Sequence, residues 1–233
     1  MNIKQTLAFT GLYLLAGISA ASTKDDVSKL LVKSKPAAVT FSDGHSAWTG
    51  QTDSVSRLDN GKAIIVHSKF LTLDTDGASK EIRSCDPTAQ ASTALSDPKG
   101  NPTDANEIAY FVLPWCGDAA DKTKCKANPP YRQLGLQKGD LAAVISGNKL
   151  AFAIAADVGP EKHFGEGSVE LHRQLGHDTV GKNSRNPKCA INESMPSEVF
   201  IVVFPKSNKK WLSKKDIDKK GEELWDELLN SIN

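Results

Sequence analysis

The sequence predicts a single-domain, mainly β protein with peripheral helices, and three observations carry that expectation. Five apolar runs, 63–67, 109–113, 141–146, 150–156 and 199–204, have strand length and are bounded by Gly, Pro, Asn, Asp or charged residues. Two of them, 141–146 and 150–156, are separated by Gly147-Asn148, a pair that tolerates the positive φ of a tight hairpin. Helical periodicity is confined to the two ends and one short segment after residue 166.

Taken in order, the chain opens with a charged n-region (Met1–Lys4), an apolar run from Leu7 to Ile18, and the small residues Ser19, Ala20 and Ala21. That is the pattern of a secretory signal peptide over 1–21, with a run too short to span a hydrocarbon core of ~30 Å. The mature chain is expected to begin near Ser22, to be secreted (extracellular or periplasmic), and to have no membrane association after signal removal. Residues 22–36 place Val27, Leu30 and Leu31 at helical spacing and stop at Pro36. The β-rich stretch follows, to Pro205, and 22–205 is read as one catalytic-type domain. Beyond it, 206–233 form an amphipathic extension. Ile217, Leu224, Trp225, Leu228, Leu229 and Ile232 share one face of a helix predicted over 213–232, which packs that stripe on the body.

Charge and cysteine content narrow the class. Lys+Arg number 29 against 28 Asp+Glu, which leaves no broad cationic footprint for nucleic acid. Residues 36–205 alone carry a net charge of −3. Four cysteines in an exported chain read as two disulfides. Three pairings are open; the polar, loop-like segment 117–124 favours a local Cys116–Cys125 bond and leaves Cys85 to Cys189. No CxxC pair supports zinc, and His172 and His177, five apart, do not share a helix face. Asp74-Thr75-Asp76-Gly77 lacks the remainder of an EF-hand loop and reads as a turn or cleft edge. No metal or cofactor is expected, and the P-loop, GxGxxG and GxSxG signatures are missing from the sequence. Asn192-Glu193-Ser194 has the pattern of a glycosylation sequon.

The candidate chemistry concentrates between Leu150 and Gly176. An apolar strand delivers Asp157 to its C-terminal end, Val158-Gly159-Pro160 turns the chain, and Glu166 follows between Gly165 and Gly167. Two carboxylates so placed suit general acid/base work, because burial raises one pKa while polar neighbours keep the other ionised. The competing reading makes Glu166 or Ser168 a cap for the helix that begins there. His163 lies between the two acids, and Trp115, Tyr131 and Trp48 are candidates for stacking on sugar faces.

These segments resemble glycoside hydrolase family 75, the endo-chitosanases. The matching pieces are Gly139-Asp140 with the following apolar run, Asn148 through Asp157-Val-Gly-Pro160, and Gly165-Glu166-Gly-Ser168-Val-Glu-Leu171. Leu73-Asp-Thr-Asp-Gly77, Thr93–Asp97, Asp104 with Tyr110–Pro114, and Phe200–Pro205 match as well, so the resemblance spans roughly 60–205 and gives the tail no counterpart. Ala156 stands where the family has Gly, Gly167 where it has Ala, and 115–130 reads as an insertion.

The resemblance implies an endo-acting hydrolase that cleaves β-1,4-linked glucosamine polymer (chitosan) with inversion, with Asp157 and Glu166 as its catalytic pair. An inverting pair stands ~6.5–9.5 Å apart to leave room for water. Because chitosan is cationic, Asp74, Asp76 and Asp104 are expected to bind its ammonium groups, alongside His163, Trp115 and Tyr131. The strand, Asp-x-Gly-Pro turn and helix also resemble half of a double-psi barrel, so a six-stranded (double-psi-like) β-barrel, acting as a monomer, is the expected architecture. The alternatives are a hydrolase of peptidoglycan or partly acetylated chitin, and a non-catalytic exported polysaccharide-binding or inhibitor protein. A binder has no need for Asp157 and Glu166 to reach one cleft.

Overall fold

The computed structural model describes residues 22–116, 122–191 and 193–232; the expected signal segment 1–21, residues 117–121 of the expected 117–124 loop and the sequon's Asn192 lie outside the described residues. The chain begins with helix α1 (Ser22–Val32), followed by strands β1 (Ser34–Pro36), β2 (Thr52–Leu58), β3 (Ile64–Ser68) and β4 (Thr72–Asp74). A 3₁₀ turn (Ile82–Cys85) precedes β5 (Tyr110–Pro114), the short helices α2 (Lys122–Ala127) and α3 (Pro130–Gln133), and the hairpin β6 (Leu141–Ser146) and β7 (Lys149–Gly159). Then come β8 (Glu166–Ser168), α4 (Val169–Gln174), β9 (Val199–Phe204) and α5 (Lys214–Asn230).

Among the described residues nine strands join one mixed sheet in the order β1-β2-β3-β9-β6-β7-β5-β8-β4. Pairing is antiparallel from β1 through β7, parallel between β7 and β5, antiparallel at the single β5–β8 pair Phe111↔Gly167, and parallel between β8 and β4. This overturns the closed six-stranded barrel. The end strands β1 and β4 do not pair with each other, so the sheet stays open, and Pro36, which has no N–H to donate, sits on one edge.

Two separate cores explain why the strands read as unbroken apolar runs. Leu141, Ala143, Ile145, Ile154, Val202 and Phe204 face one cluster, while Ala142, Val144, Ala153, Ile201 and Val203 face the other. A strand buried on both faces has no polar position to alternate with, and every residue of β5 and β6 is buried.

Helices cover the first of these faces. Val27 and Leu30 of α1, with Ile217, Trp225 and Leu228 of α5, pack into that cluster. Ser213 caps α5 by accepting the Asp216 amide at 3.3 Å. Gly221 lets the helix backbone settle on β7, since a Cβ there would lie 2.5 Å from the Phe152 ring. The buried Glu170 of α4 also takes the Lys214 ammonium and the Arg173 guanidinium, which ties the start of α5 to α4. The amphipathic tail is thus an integral layer of the fold. Among the described residues no helix is long and apolar enough to cross a membrane.

Both expected disulfides are present, Cys85–Cys189 across 104 residues and Cys116–Cys125 across nine. The first anchors the 3₁₀ turn beneath the loop that carries Asp86.

Candidate active site

The long strand β7 carries Asp157 past the edge of its hairpin partner and alongside β5, where a register shift between Phe111 and Val112 sets Val112 opposite Asp157. On the far side of β5, β8 pairs with β4 in the register Thr72↔Glu166 and Asp74↔Ser168. The parallel β4–β8 pairing therefore lets the chain run on from Leu73 through Asp74 and Asp76 beside Glu166. The result is a pocket of about 170 Å³ whose lining includes Asp74, Asp76, Asp86, Asp157 and Glu166 and no lysine or arginine.

Each acid is held differently. Asp157 is 6% exposed, and its Oδ1 accepts the amides of Val158 at 2.8 Å and Ala94 at 3.0 Å. Burial pushes its pKa up to about 6 against the pull of those two amides, and a side-chain hydrogen bond and the charge of Asp76 add to the rise. Asp76 accepts the Gln90 amide at 2.5 Å, and Asp74 accepts the Asp76 amide at 2.8 Å. Burial raises both, Asp74 strongly, with the Asp76 charge next in importance for Asp74. Asp86, which the sequence reading missed, accepts the Thr75 hydroxyl at 2.9 Å and the Thr88 hydroxyl at 2.7 Å. Asp86-Pro87-Thr88 gives only a turn signal in sequence, and its place at the pocket comes from the disulfide-anchored loop.

Glu166 is pushed up to about 7 by burial and then by the charges of Asp157, Asp76 and Asp86. It does not cap α4. Ser168 does, accepting the Leu171 amide at 3.2 Å, while Glu166 belongs to β8. Space for the glutamate depends on Gly159, where a Cβ would sit 2.7 Å from Glu166 Oε2 and 2.8 Å from Val112 Cγ1. Gly167 answers to packing as well, since its Cβ would meet Leu171 at 2.7 Å. The glycine-flanked turn expected from sequence is thus a strand pressed against its neighbours. His163 Nδ1 stands 4.0 Å from Glu166 Oε1, its ring hydrogen-bonded by Gln51, and burial lowers its pKa and favours the neutral imidazole. Gln51 is a second residue the sequence gave no reason to choose; its amide also donates to Thr72 Oγ1 at 2.6 Å and to the Gly165 carbonyl at 3.0 Å.

The structure brings Asp74, Asp76 and His163 together with Asp157 and Glu166, and leaves four other candidates, Asp104, Tyr131, Trp115 and Trp48, outside. Asp104 lines a different pocket with Asp97 and Trp211, and its carboxylate accepts the Asn106 amide at 2.8 Å. Tyr131 is 4% exposed and stacks on Trp115 with centroids 5.7 Å apart, so the ring serves the core. Trp115 is half-buried against the same cluster, and Trp48 packs on Phe41 and Phe164. Carboxylate oxygens of Asp74, Asp76 and Asp157 lie within 4.8 Å of one another, and among the described residues these three form the group able to hold a metal ion.

This arrangement has the equipment for proton transfer at neutral pH: one buried carboxyl that keeps its proton, one carboxylate oriented by backbone amides, and further negative charge to attract a cation. Residues 71–231 match the family described as fungal chitosanase of glycosyl hydrolase group 75, a match that covers well over half of the chain and runs beyond Pro205 through α5. No curated protein matches the chain.

Proposed function

We propose that this chain, which belongs to the group 75 glycosyl hydrolase family of fungal chitosanases, cleaves chitosan internally and with inversion through Glu166 as general acid and Asp157 as general base. The family makes it a glycoside hydrolase, a chitosanase. The observation that carries the assignment of roles is the shared pocket, in which the higher pKa belongs to Glu166 (about 7) and the lower to the amide-bound Asp157 (about 6).

In this reading Glu166 donates its proton to the leaving glycosidic oxygen, and the C–O bond breaks as positive charge builds on the sugar. Asp157 takes a proton from a water that attacks the opposite face of C1, so the anomeric configuration inverts. Burial, and after it the charge of Asp76, raise the affinity of Asp157 for the proton it takes from water. Asp74 and Asp86 complete a carboxyl-lined wall whose oxygens suit the ammonium group of a glucosammonium unit better than a neutral sugar. His163, neutral and held by Gln51, borders Glu166 and hydrogen-bonds substrate. Residues 1–21 are read as an export signal, which fits the presence of two disulfides, and 22–233 as one working unit.

The test incubates the chain lacking residues 1–21 with fully deacetylated chitosan, chitin and peptidoglycan, following viscosity, product length and the anomer first formed. Rapid viscosity loss on chitosan with an inverted first anomer is expected. Asp157→Asn and Glu166→Gln each lower the rate by ~10²–10⁴-fold. Retention of the anomer, or full activity in either variant, defeats the assignment.

A further inference from the structure

On the other side of the segment that carries Ala94 from the acidic pocket, the charge reverses. A pocket of about 730 Å³ is rimmed by Arg132, Lys138, Lys206 and Lys209, and no carboxylate lines it. The two pockets share a short link: Ala94 donates its amide to Asp157 at 3.0 Å and accepts Lys138 Nζ on its carbonyl at 3.0 Å. Among the described residues none of the four cations has an acidic partner within 4.0 Å, although other lysines and arginines of the fold do.

The rim is held in place. Lys206 is the one non-glycine among the described residues in the left-handed region, at φ 61°. That conformation is unfavourable for lysine and persists only where its surroundings fix it. Here Asn208 Nδ2 donates to the Gly139 carbonyl at 3.1 Å, Gln137 Nε2 to the Asn208 carbonyl at 2.9 Å, and the Leu141 amide to Ser207 Oγ at 2.9 Å. Gly139 is pressed against the same turn, with a Cβ position 2.9 Å from the Lys209 carbonyl carbon. The lysines are thus presented from a clamped turn, and four cationic side chains rim one opening that no carboxylate lines.

We infer that this basic pocket binds an acidic polysaccharide, taking sugar carboxylates on its cationic rim. The floor favours a glycan over other polyanions: the half-buried Leu95 offers apolar surface to sugar C–H faces beside the buried Leu136 and Tyr131, and the Arg132 guanidinium stands 5.9 Å from the Tyr131 ring centroid. The volume falls within the range of small-ligand sites and exceeds what a single oxyanion fills. A polycationic substrate attracts polyanions, so a site for an acidic chain beside the acidic pocket anchors the enzyme where the two polymers lie together.

The choice of a glycan leans on the carbohydrate reading above, but the test does not require cleavage. Binding of the chain lacking residues 1–21 to polygalacturonate is measured by titration calorimetry over a series of salt concentrations, with long-chain polyphosphate in parallel. Lys206→Asn with Lys209→Gln removes two charges and leaves a residue that accepts the left-handed turn. It weakens polygalacturonate binding roughly tenfold at low salt and flattens the salt dependence. Lys219→Gln with Lys220→Gln on the exposed face of α5 makes the same change in net charge and leaves binding unaltered. Arg132→Gln gives a second reading outside the clamped turn. No binding by the parent chain, equal weakening by both double variants, or capture of polyphosphate alone overturns the inference. Binding that persists in a chain unable to cleave chitosan sinks the proposed function and leaves this site standing.

Discussion

Replacing Glu166 with glutamine separates a catalytic carboxyl from a structural one through the sign of its effect on stability. Burial and three neighbouring negative charges move the native pKa from the ordinary 4.5 to about 7, so the native state binds this proton more tightly than the unfolded chain does. Below pH 4.5 the group is protonated in both states and costs nothing. As pH rises through the interval from 4.5 to 7 the unfolded chain ionises first, and stability falls until both states are charged. The interval corresponds to about 3 kcal/mol at pH 8, since one pKa unit is about 1.4 kcal/mol. The side chain is 19% exposed, so little solvent screening reduces that figure. Glutamine does not titrate, and Glu166→Gln is expected to raise the melting temperature by roughly 6–12 °C at pH 8 for a domain of this size, with almost no change at pH 4. Denaturant melts of both proteins from pH 4 to 8.5 measure the difference directly. A cap would behave oppositely, losing ~0.5–2 kcal/mol at neutral pH on substitution. A stability difference that does not vary with pH, or that favours the parent chain at pH 8, refutes the burial argument and the role built on it.

Two further outcomes follow from the geometry. Gly159→Ala is expected to push Glu166 aside, because its Cβ would lie 2.7 Å from Oε2; a displacement near 1 Å costs about 10²-fold in kcat with KM little changed, and steady-state kinetics near parental values would show the pocket to be slack. Removing Cys85–Cys189 by paired alanine substitution should cost about 4–5 kcal/mol by loop closure over 104 residues, against about 2–3 for Cys116–Cys125 over nine; chemical denaturation that reverses this order refutes it.

Legibility in the sequence followed burial. The runs 141–146, 150–156 and 199–204 became β6, β7 and β9 because strands sealed on both faces are apolar throughout. The same property hid the architecture. Residues apolar on both faces fit a closed barrel between layers as well as an open sheet, and what decides is whether the end strands meet, which no local pattern encodes. The strands left unread have little signal of their own. β2 is Thr-Asp-Ser-Val-Ser-Arg-Leu, and β4 and β8 are three residues each. They are strands because a neighbour pairs with them.

That last point bears on the site, since β4 and β8 are the elements that matter there. Asp157 could be placed from sequence because a long apolar strand points it to an end, whereas spacing left Glu166 between a catalytic and a capping role and only the family resemblance favoured the first. Asp74 and Asp76 reach Glu166 through three parallel pairs, Thr72↔Glu166, Leu73↔Gly167 and Asp74↔Ser168, and through nothing else in the local sequence. A shift of one residue in so short a pairing would turn the carboxylates to the opposite face of the sheet. The register is fixed from outside the pair. Thr72 donates its amide to the Gly165 carbonyl at 2.9 Å, Met195 to the Leu71 carbonyl at 2.8 Å, and Gln51 bridges Thr72 and Gly165 with one amide group. Gln51 thus holds both strands and the ring of His163, which makes a residue without chemistry of its own the point on which the alignment of Asp74, Asp76 and Glu166 depends.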